Sequence, residues 1–218
     1  MGQAIAAAAQ HFDGVTITAT VDAGDSIQDG LKVCDVAIDF STAGAVDEIC
    51  GLATKERRPL VIGTTGHSSA QREVISSAAK KIPVVLASNF SVGVNVLFWL
   101  TDRAAQLLGN SFTPEIIETH HVMKKDAPSG TAKTLAEILR AQTGRAEVAT
   151  QSIREGDVVG EHTVIFDGPG ERLELAHKAR SRETFASGAL AAAKWVMKKP
   201  PGLYSMQDVL GLNPIDRR

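Results

Sequence analysis

The sequence predicts an α/β protein. A parallel sheet with helices on both faces occupies the first part of the chain, and a smaller α+β part with a mixed sheet follows. Three observations carry this. Short β-branched runs, apolar on both faces, alternate with helical patterns in the first half, as in a parallel sheet buried on both sides. Each run ends in small or polar residues, where ligands of such sheets bind. Further on, two β-rich runs are separated only by a turn, which points to antiparallel pairing.

The elements follow in order. "MGQAIAAAAQ", Met1 to Gln10, reads as a helix, and "VTITATVD", Val15 to Asp22, as a strand. Further strands are expected at Cys34 to Ser41, Arg58 to Gly66 and Lys81 to Ser91. Between the last two, Ala70, Val74, Ala78 and Lys81 keep helical spacing, with Ile75 and Ala79 beside them. "VNVLFWLTDRAAQLLG" is a helix with Leu100, Ala104, Leu107 and Leu108 on one, apolar, face and Gly109 as its C-cap. "TPEIIETHH" is a strand running into a charged loop, and "SGTAKTLAEILRAQTG" is a helix with Ala132, Leu135, Ala136 and Leu139 on one face. "GDVVGEHTVIFD" and "ERLELAHKA" read as strands joined at Gly168 to Gly170. A last helix, "FASGALAAAKWVMKK", precedes a short tail.

The 218 residues are 44% hydrophobic with a formal net charge of −2, enough apolar material for one or two cores. The charge supplies no basic field for nucleic acid or membrane, and an aromatic content of 5% argues against base-stacking surfaces. Cys34 and Cys50 form no CxxC, which suits a reduced cytoplasmic protein. No apolar run approaches the roughly 20 residues of a membrane span, and the opening lacks the pattern of a secretion signal.

Chemistry concentrates in "ETHHVMKKDAPSGTA", which places two histidines, two lysines and an aspartate within the stretch His120 to Asp126. Ser129 is a plausible N-cap for the helix that follows. The amides of Gly130 and Thr131 then lie in its first turn, at the positive end of the helix dipole, where a carboxylate or phosphate is favoured. An anion site, an imidazole (His120 or His121) and an ammonium (Lys124 or Lys125) on one loop suit an anionic substrate that needs a proton. The plainer alternative is a solvated charged loop capped by Ser129. A metal site is disfavoured: adjacent strand histidines diverge, and there is no HExxH or cysteine cluster. His162 and His177 read as core or interface residues, and Lys178, Arg180 and Arg182 as structural cations. In the first half, "GTTG" (Gly63 to Gly66) and "ASNFSVGVN" (from Ala87) are strand-end turns, either ligand loops or ordinary turns and caps. Asp22 stands where an acidic residue would hold a ribose in a dinucleotide fold, or merely ends a strand.

Taken together, "HHVMKKDAPSGTA", "VIGTTG", "ASNFSVGVN", "GDVVGEHTV" and "HKARSRETFASGA" occur in the order and spacing of a known family. The chain resembles the 4-hydroxy-tetrahydrodipicolinate (dihydrodipicolinate) reductases over nearly its whole length. "HHxxKxDAPSGTA" is the specific part; the GTTG and NFS pieces are weak alone. The resemblance implies a Rossmann-like nucleotide domain and an α+β substrate and oligomerisation domain, with boundaries at 1–91 plus 184–218 and at 92–183. It implies NADH- or NADPH-dependent reduction of a cyclic imine dicarboxylate in lysine and diaminopimelate biosynthesis, a homotetramer joined through second-domain sheets, and hinge motion near Ser91 and Thr184. It places the catalytic pair at His120 and Lys124 and substrate contacts at His121, Gly130 and Thr131. Cofactor contacts fall at Asp22, at Gly63, Thr64 and Thr65, and at Ala87, Ser88, Asn89 and Phe90.

Family members usually open with a strand and GxxGxMG, whereas this sequence starts at "MG". The expectation is a fragment, or a reading frame started too late, without the first strand and glycines, with an exposed sheet edge and a weakened phosphate cradle. Ala23 after Asp22, where some members carry an Arg for the 2′-phosphate, leans the cofactor towards NADH. Two other readings remain at this level: a non-catalytic homologue that binds a metabolite or partner without turnover, and an amino-acid dehydrogenase of similar build.

Overall fold

In the computed structural model, which describes residues 1–212, the alternating pattern folds as sixteen main elements. In chain order they are α1 (Gly2–Ala9), α2 (Ile27–Lys32), β1 (Ala37–Asp39), α3 (Val46–Glu56), β2 (Leu60–Ile62), α4 (Ser69–Ala79), β3 (Pro83–Leu86), α5 (Val92–Leu108), β4 (Thr113–His120), α6 (Gly130–Thr143), β5 (Ala149–Arg154), β6 (Gly160–Gly168), β7 (Glu171–Ala179), α7 (Glu183–Val196), β8 (Gly202–Tyr204) and α8 (Met206–Leu210). The chain divides into two units, Met1–Phe90 with the chain from Glu183 on, and Ser91–Arg182.

The first unit is built on a parallel sheet in the order β1-β2-β3-β8. Side chains alternate across a strand, so Val61 and Val85 face α1 and α7, while Leu60, Ile62 and Val84 face the layer of α2, α3 and α4. These strand residues are fully buried, which explains runs that are apolar on both faces. Helix α7 approaches the sheet closely because Gly188 has no side chain: a Cβ there would overlap the carbonyl of Phe90. The N-termini of α2 and α4 are capped by Ser26 and Ser68, the latter in a full capping box with Gln71.

The second unit carries a mixed sheet in the order β5-β4-β6-β7, with β4 and β5 parallel and the other pairs antiparallel. Helices α5 and α6 cover one face, packing Val94, Leu97, Phe98, Leu135 and Leu139 on Ile116, Val164 and Phe166. Ser91 and Ser129 cap α5 and α6 through hydrogen bonds from Val94 N and Ala132 N. Gly109 and Gly144 end the two helices in positive-φ conformations.

Two expectations are corrected. Val15 to Asp22 is not a strand. Its residues are mostly exposed, with Ile17 at 38% and Val21 at 45%, and β1 pairs only with β2 among the described residues. A β-rich pattern cannot form a ladder without a neighbour to take its N–H and C=O groups. The apolar face of α5 is borne out only in part: Ala104 and Leu108 pack against the core, but Leu107 is 87% exposed and Leu100 39%, and Val94, Leu97, Phe98, Thr101 and Ala105 point inward.

Candidate active site

Two places in the chain gather polar side chains at strand ends. In the first unit they are the carboxyl ends of β1, β2 and β3. Asp39, buried at the end of β1, accepts hydrogen bonds at Oδ1 from the Ser41 N–H and hydroxyl and at Oδ2 from the Thr64 hydroxyl. Its carbonyl takes Gly63 N–H at 2.8 Å, and Ile62 O takes Ala87 N–H at 3.1 Å. Gly63 and Thr64 are thereby tied beside β1, and Ala87 lies just past the end of β3. Gly63 must be glycine, since a Cβ would run into the Phe40 ring, and Gly66 holds a φ of +83°. Thr65 and Ser88 are exposed, Asn89 is half-buried, and buried Phe90 packs its ring 5.4 Å from that of Phe40. Side-by-side parallel strand ends with glycine in the turn are what a dinucleotide needs for close backbone approach, so these residues fit that cofactor. Asp22 lies apart from this hydrogen-bonded group. It is exposed, and its own bonds are local, from Ala23 N–H to its carboxylate and from its N–H to Asp25.

In the second unit the site grows from β4. Residues Pro114, Ile116, Glu118 and His120 alternate onto its buried face. Glu118 is fully buried, and His120 is 8% exposed. His120 Nδ1 is hydrogen-bonded to Glu118 Oε2. The guanidinium of Arg154, on neighbouring β5, donates to both Glu118 oxygens at 3.1 and 3.0 Å, and Ser129 N–H adds a bond to Oε1. His162 lies opposite Glu118 in the β4–β6 register, bonds Ser129 Oγ through Nε2 at 3.1 Å and sets its ring edge-on to His120 at 5.1 Å. Beyond the strand, half-buried Lys124 pairs with Asp126 at 2.8 Å, whereas Lys125 is exposed. His121, just past β4, lines a cavity of about 300 Å³ with Met123, Asp157 and Arg182. Ser129 is the N-cap of α6, so the amides of Gly130 and buried Thr131 lie in its first turn.

The electrostatics follow from burial and pairing. Burial alone would raise Glu118, but the bonds from Arg154, Ser152 and His120 outweigh it and hold the carboxyl below the usual range. Burial pushes the His120 imidazole below its ordinary value; Glu118 opposes this, and the charges of Lys124 and Arg154 add to it. His162 is pushed down to about 3, by burial first and then by His120. Glu118, His120 and His162 offer ligand atoms within 4.8 Å of one another. Both Glu118 oxygens already receive the cationic guanidinium of Arg154, so this cluster is an ion-paired network rather than a vacant cation site.

The structure thus links His120 and the loop of Lys124 through Glu118 and Arg154, and the N-cap of the helix that starts at Gly130 and Thr131 through Ser129, and it ties Gly63, Thr64 and Ala87 at the strand ends. The sequence reading passed over Glu118, Asp39 and Arg154, and it gave His162 a core role without its link to His120. A signal existed for Glu118, two residues before His120 on a strand and so on the same face. None existed for Arg154, because β5 was not expected.

The chain matches two family models: dihydrodipicolinate reductase, N-terminus, over residues 1–90, and dihydrodipicolinate reductase, C-terminus, over residues 93–210. It is 50% identical over 234 residues to the 4-hydroxy-tetrahydrodipicolinate reductase of Akkermansia muciniphila, covering 99% of this chain and 95% of that protein. The protein of the same name from Syntrophus aciditrophicus is 46% identical over 211 residues, covering 86% and 79%. In fold, the dipicolinate-bound dihydrodipicolinate reductase of Paenisporosarcina sp. TG-14 superposes with a TM-score of 0.77 at 24% identity, covering 95% of this chain and 94% of that one.

Proposed function

The chain belongs to the dihydrodipicolinate reductase family, and on that premise we propose how its residues divide the work. It is an NAD(P)H-dependent enzyme that reduces 4-hydroxy-tetrahydrodipicolinate to tetrahydrodipicolinate in lysine and diaminopimelate biosynthesis. The observation that carries the assignment of roles is the oriented imidazole of His120 followed by the half-buried ammonium of Lys124, beside the first turn of α6.

When bound, the nicotinamide supplies the hydride. Gly63, Thr64, Thr65 and the turn Ala87, Ser88, Asn89, Phe90 hold the cofactor, with Asp22 as the ribose contact. The first-turn amides of Gly130 and Thr131 take one substrate carboxylate through hydrogen bonds aligned with the helix dipole. His121 adds a contact from the adjoining cavity. Lys124 carries its proton on Nζ towards the negative charge that develops on the substrate, and an ammonium there both stabilises and quenches that charge. With its Nδ1 occupied by Glu118, His120 keeps Nε2 for exchange with substrate or with Lys124, and the two act as one coupled acid–base unit. Ala23 after Asp22 supplies no cation for a 2′-phosphate, which favours NADH over NADPH. The working form is a cytoplasmic homotetramer.

The test is a turnover assay on the purified chain, with substrate formed in situ from pyruvate and aspartate semialdehyde and both cofactors compared. Lys124→Ala should lose about 10²–10⁴ in kcat, and Lys125→Ala no more than a few-fold. Equal losses in the two variants overturn the assignment of Lys124; no turnover by the unaltered chain with either cofactor overturns the catalytic reading itself.

A further inference from the structure

We infer that Glu118 and Arg154 are positioning residues of the reductase. The carboxylate fixes the tautomer and ring orientation of His120, and the guanidinium fixes both that carboxylate and the loop that carries Lys124.

Pairing of strands accounts for the arrangement. His120 and Arg154 are register partners in the parallel pair β4–β5, and Glu118 lies opposite His162 across β4–β6. Arg154 uses all five of its N–H donors: Nε to Lys124 O at 3.2 Å, Nη1 to Glu118 Oε2 at 3.1 Å and Ile153 O at 2.7 Å, and Nη2 to Glu118 Oε1 at 3.0 Å and Asp126 O at 2.5 Å. One side chain therefore binds the carboxylate that orients His120 and two carbonyls of the loop Lys124 to Asp126. Glu118 in turn accepts from Arg154, from Ser129 N–H and at Oε2 from His120 Nδ1.

A carboxylate that stays ionised fixes the proton of a neutral imidazole on Nδ1 and leaves Nε2 bare. Ring rotation is limited by His162, whose edge packs on the His120 ring, and Nε2 looks towards Gly160, where a Cβ would sit 3.1 Å away. A buried ion pair is an expensive way to fill space, since well-packed apolar residues are commonly as stable or more so. This pair instead carries directional bonds to the His120 ring and to the backbone carbonyl of Lys124. A planar fork with five donors makes that set; an ammonium with three does not.

The inference rests on the assignment of His120 and Lys124 as reacting groups, so its test is read first without substrate. With isotope-labelled histidine, the ¹⁵N spectrum of the unaltered chain should show His120 as the Nδ1–H tautomer. In Glu118→Gln, one of the two acceptor oxygens becomes an NH₂ donor, so two of the four N–H groups facing the side chain lose their acceptor. The Nδ1–H preference should fall, and the protonation midpoint of His120 should move to lower pH. In Arg154→Lys, kcat should fall by up to about 10²-fold, the scale of a misplaced catalytic group, with the KM for NADH unchanged. The double variant Glu118→Gln/Arg154→Met leaves no lone buried charge and serves if either single variant fails to fold; the same loss of tautomer and of kcat is expected. An unchanged His120 tautomer and midpoint in any folded Glu118 variant overturns the inference, as does an Arg154→Lys enzyme with full kcat. Failure of the unaltered chain to turn over would instead strike the reductase reading and leave the spectral result standing.

Discussion

His162 shows how one buried side chain ties stability to pH. Its imidazole, normally near 6.5, is held down to about 3 in the fold, so the native protein keeps it neutral where an unfolded chain would protonate it. That stabilisation is complete above pH 6.5 and is lost as pH falls towards 3, at up to about 1.4 kcal/mol per pH unit. His120 is shifted in the same direction. Glu118, held below its ordinary 4.5, adds stability above that value that is lost as pH drops through its folded value. Urea midpoints should therefore fall as pH goes from 7 to 5, and His162→Gln, which keeps a polar atom for Ser129, should flatten the slope. An unchanged slope in that variant would assign the acid sensitivity elsewhere. Residue types were legible here without their partnerships. The stretch from Glu118 to Ala132 advertised an imidazole, an ammonium and a helix N-terminus, because capping and alternation are local rules. That Lys124 is half-buried and paired with Asp126 while Lys125 is exposed accompanies a contact that the local sequence does not show: Arg154 holds the carbonyls of Lys124 and Asp126 from a strand about 30 residues on.

Among the elements, Val15 to Asp22 and β5 form an instructive pair. The first alternates well and forms no strand; the second, Ala149–Arg154, was not anticipated and pairs with β4 over six residues. β-propensity describes how a residue suits a pleated surface, but a strand exists only where a neighbour receives its backbone. Val21 finds no strand to lie beside and instead rests over Gly30 of α2. Hydrogen exchange should make this visible. Amides from Thr16 to Val21 are expected to exchange near unfolded-chain rates, while those of Leu60–Ile62, inside the sheet and fully buried, should be among the slowest. Strong protection of Thr16 to Val21 in the isolated protein would mean that this segment has a ladder partner. Helices were easier to place than their faces. The 17 residues of α5 announce themselves by length, but leucines at Leu100 and Leu107 suggested the wrong side, since small and aromatic residues, Phe98 and Ala105 among them, fill the space against β4 and β6.

For the molecule as a whole, two units each close on their own core, and the first recruits the end of the chain to do so: α7 covers one face of its sheet and β8 supplies the edge beside β3. The homotetramer proposed for the working form has a direct check, since sedimentation equilibrium should give about four times the 23.1 kDa chain mass; a monomer at micromolar concentration would refute it. By itself the sequence determined the fold class, the family and most of the reactive residue types. These follow from local periodicity, caps, and a motif compact enough to survive reading in one dimension. Only the tertiary structure decided which strands exist, which face of α5 is buried, and that Arg154 and His162 surround Glu118 and His120. Those outcomes depend on partners far apart along the chain, and hydrogen-bond satisfaction and burial act on neighbours in space, which no window of sequence contains.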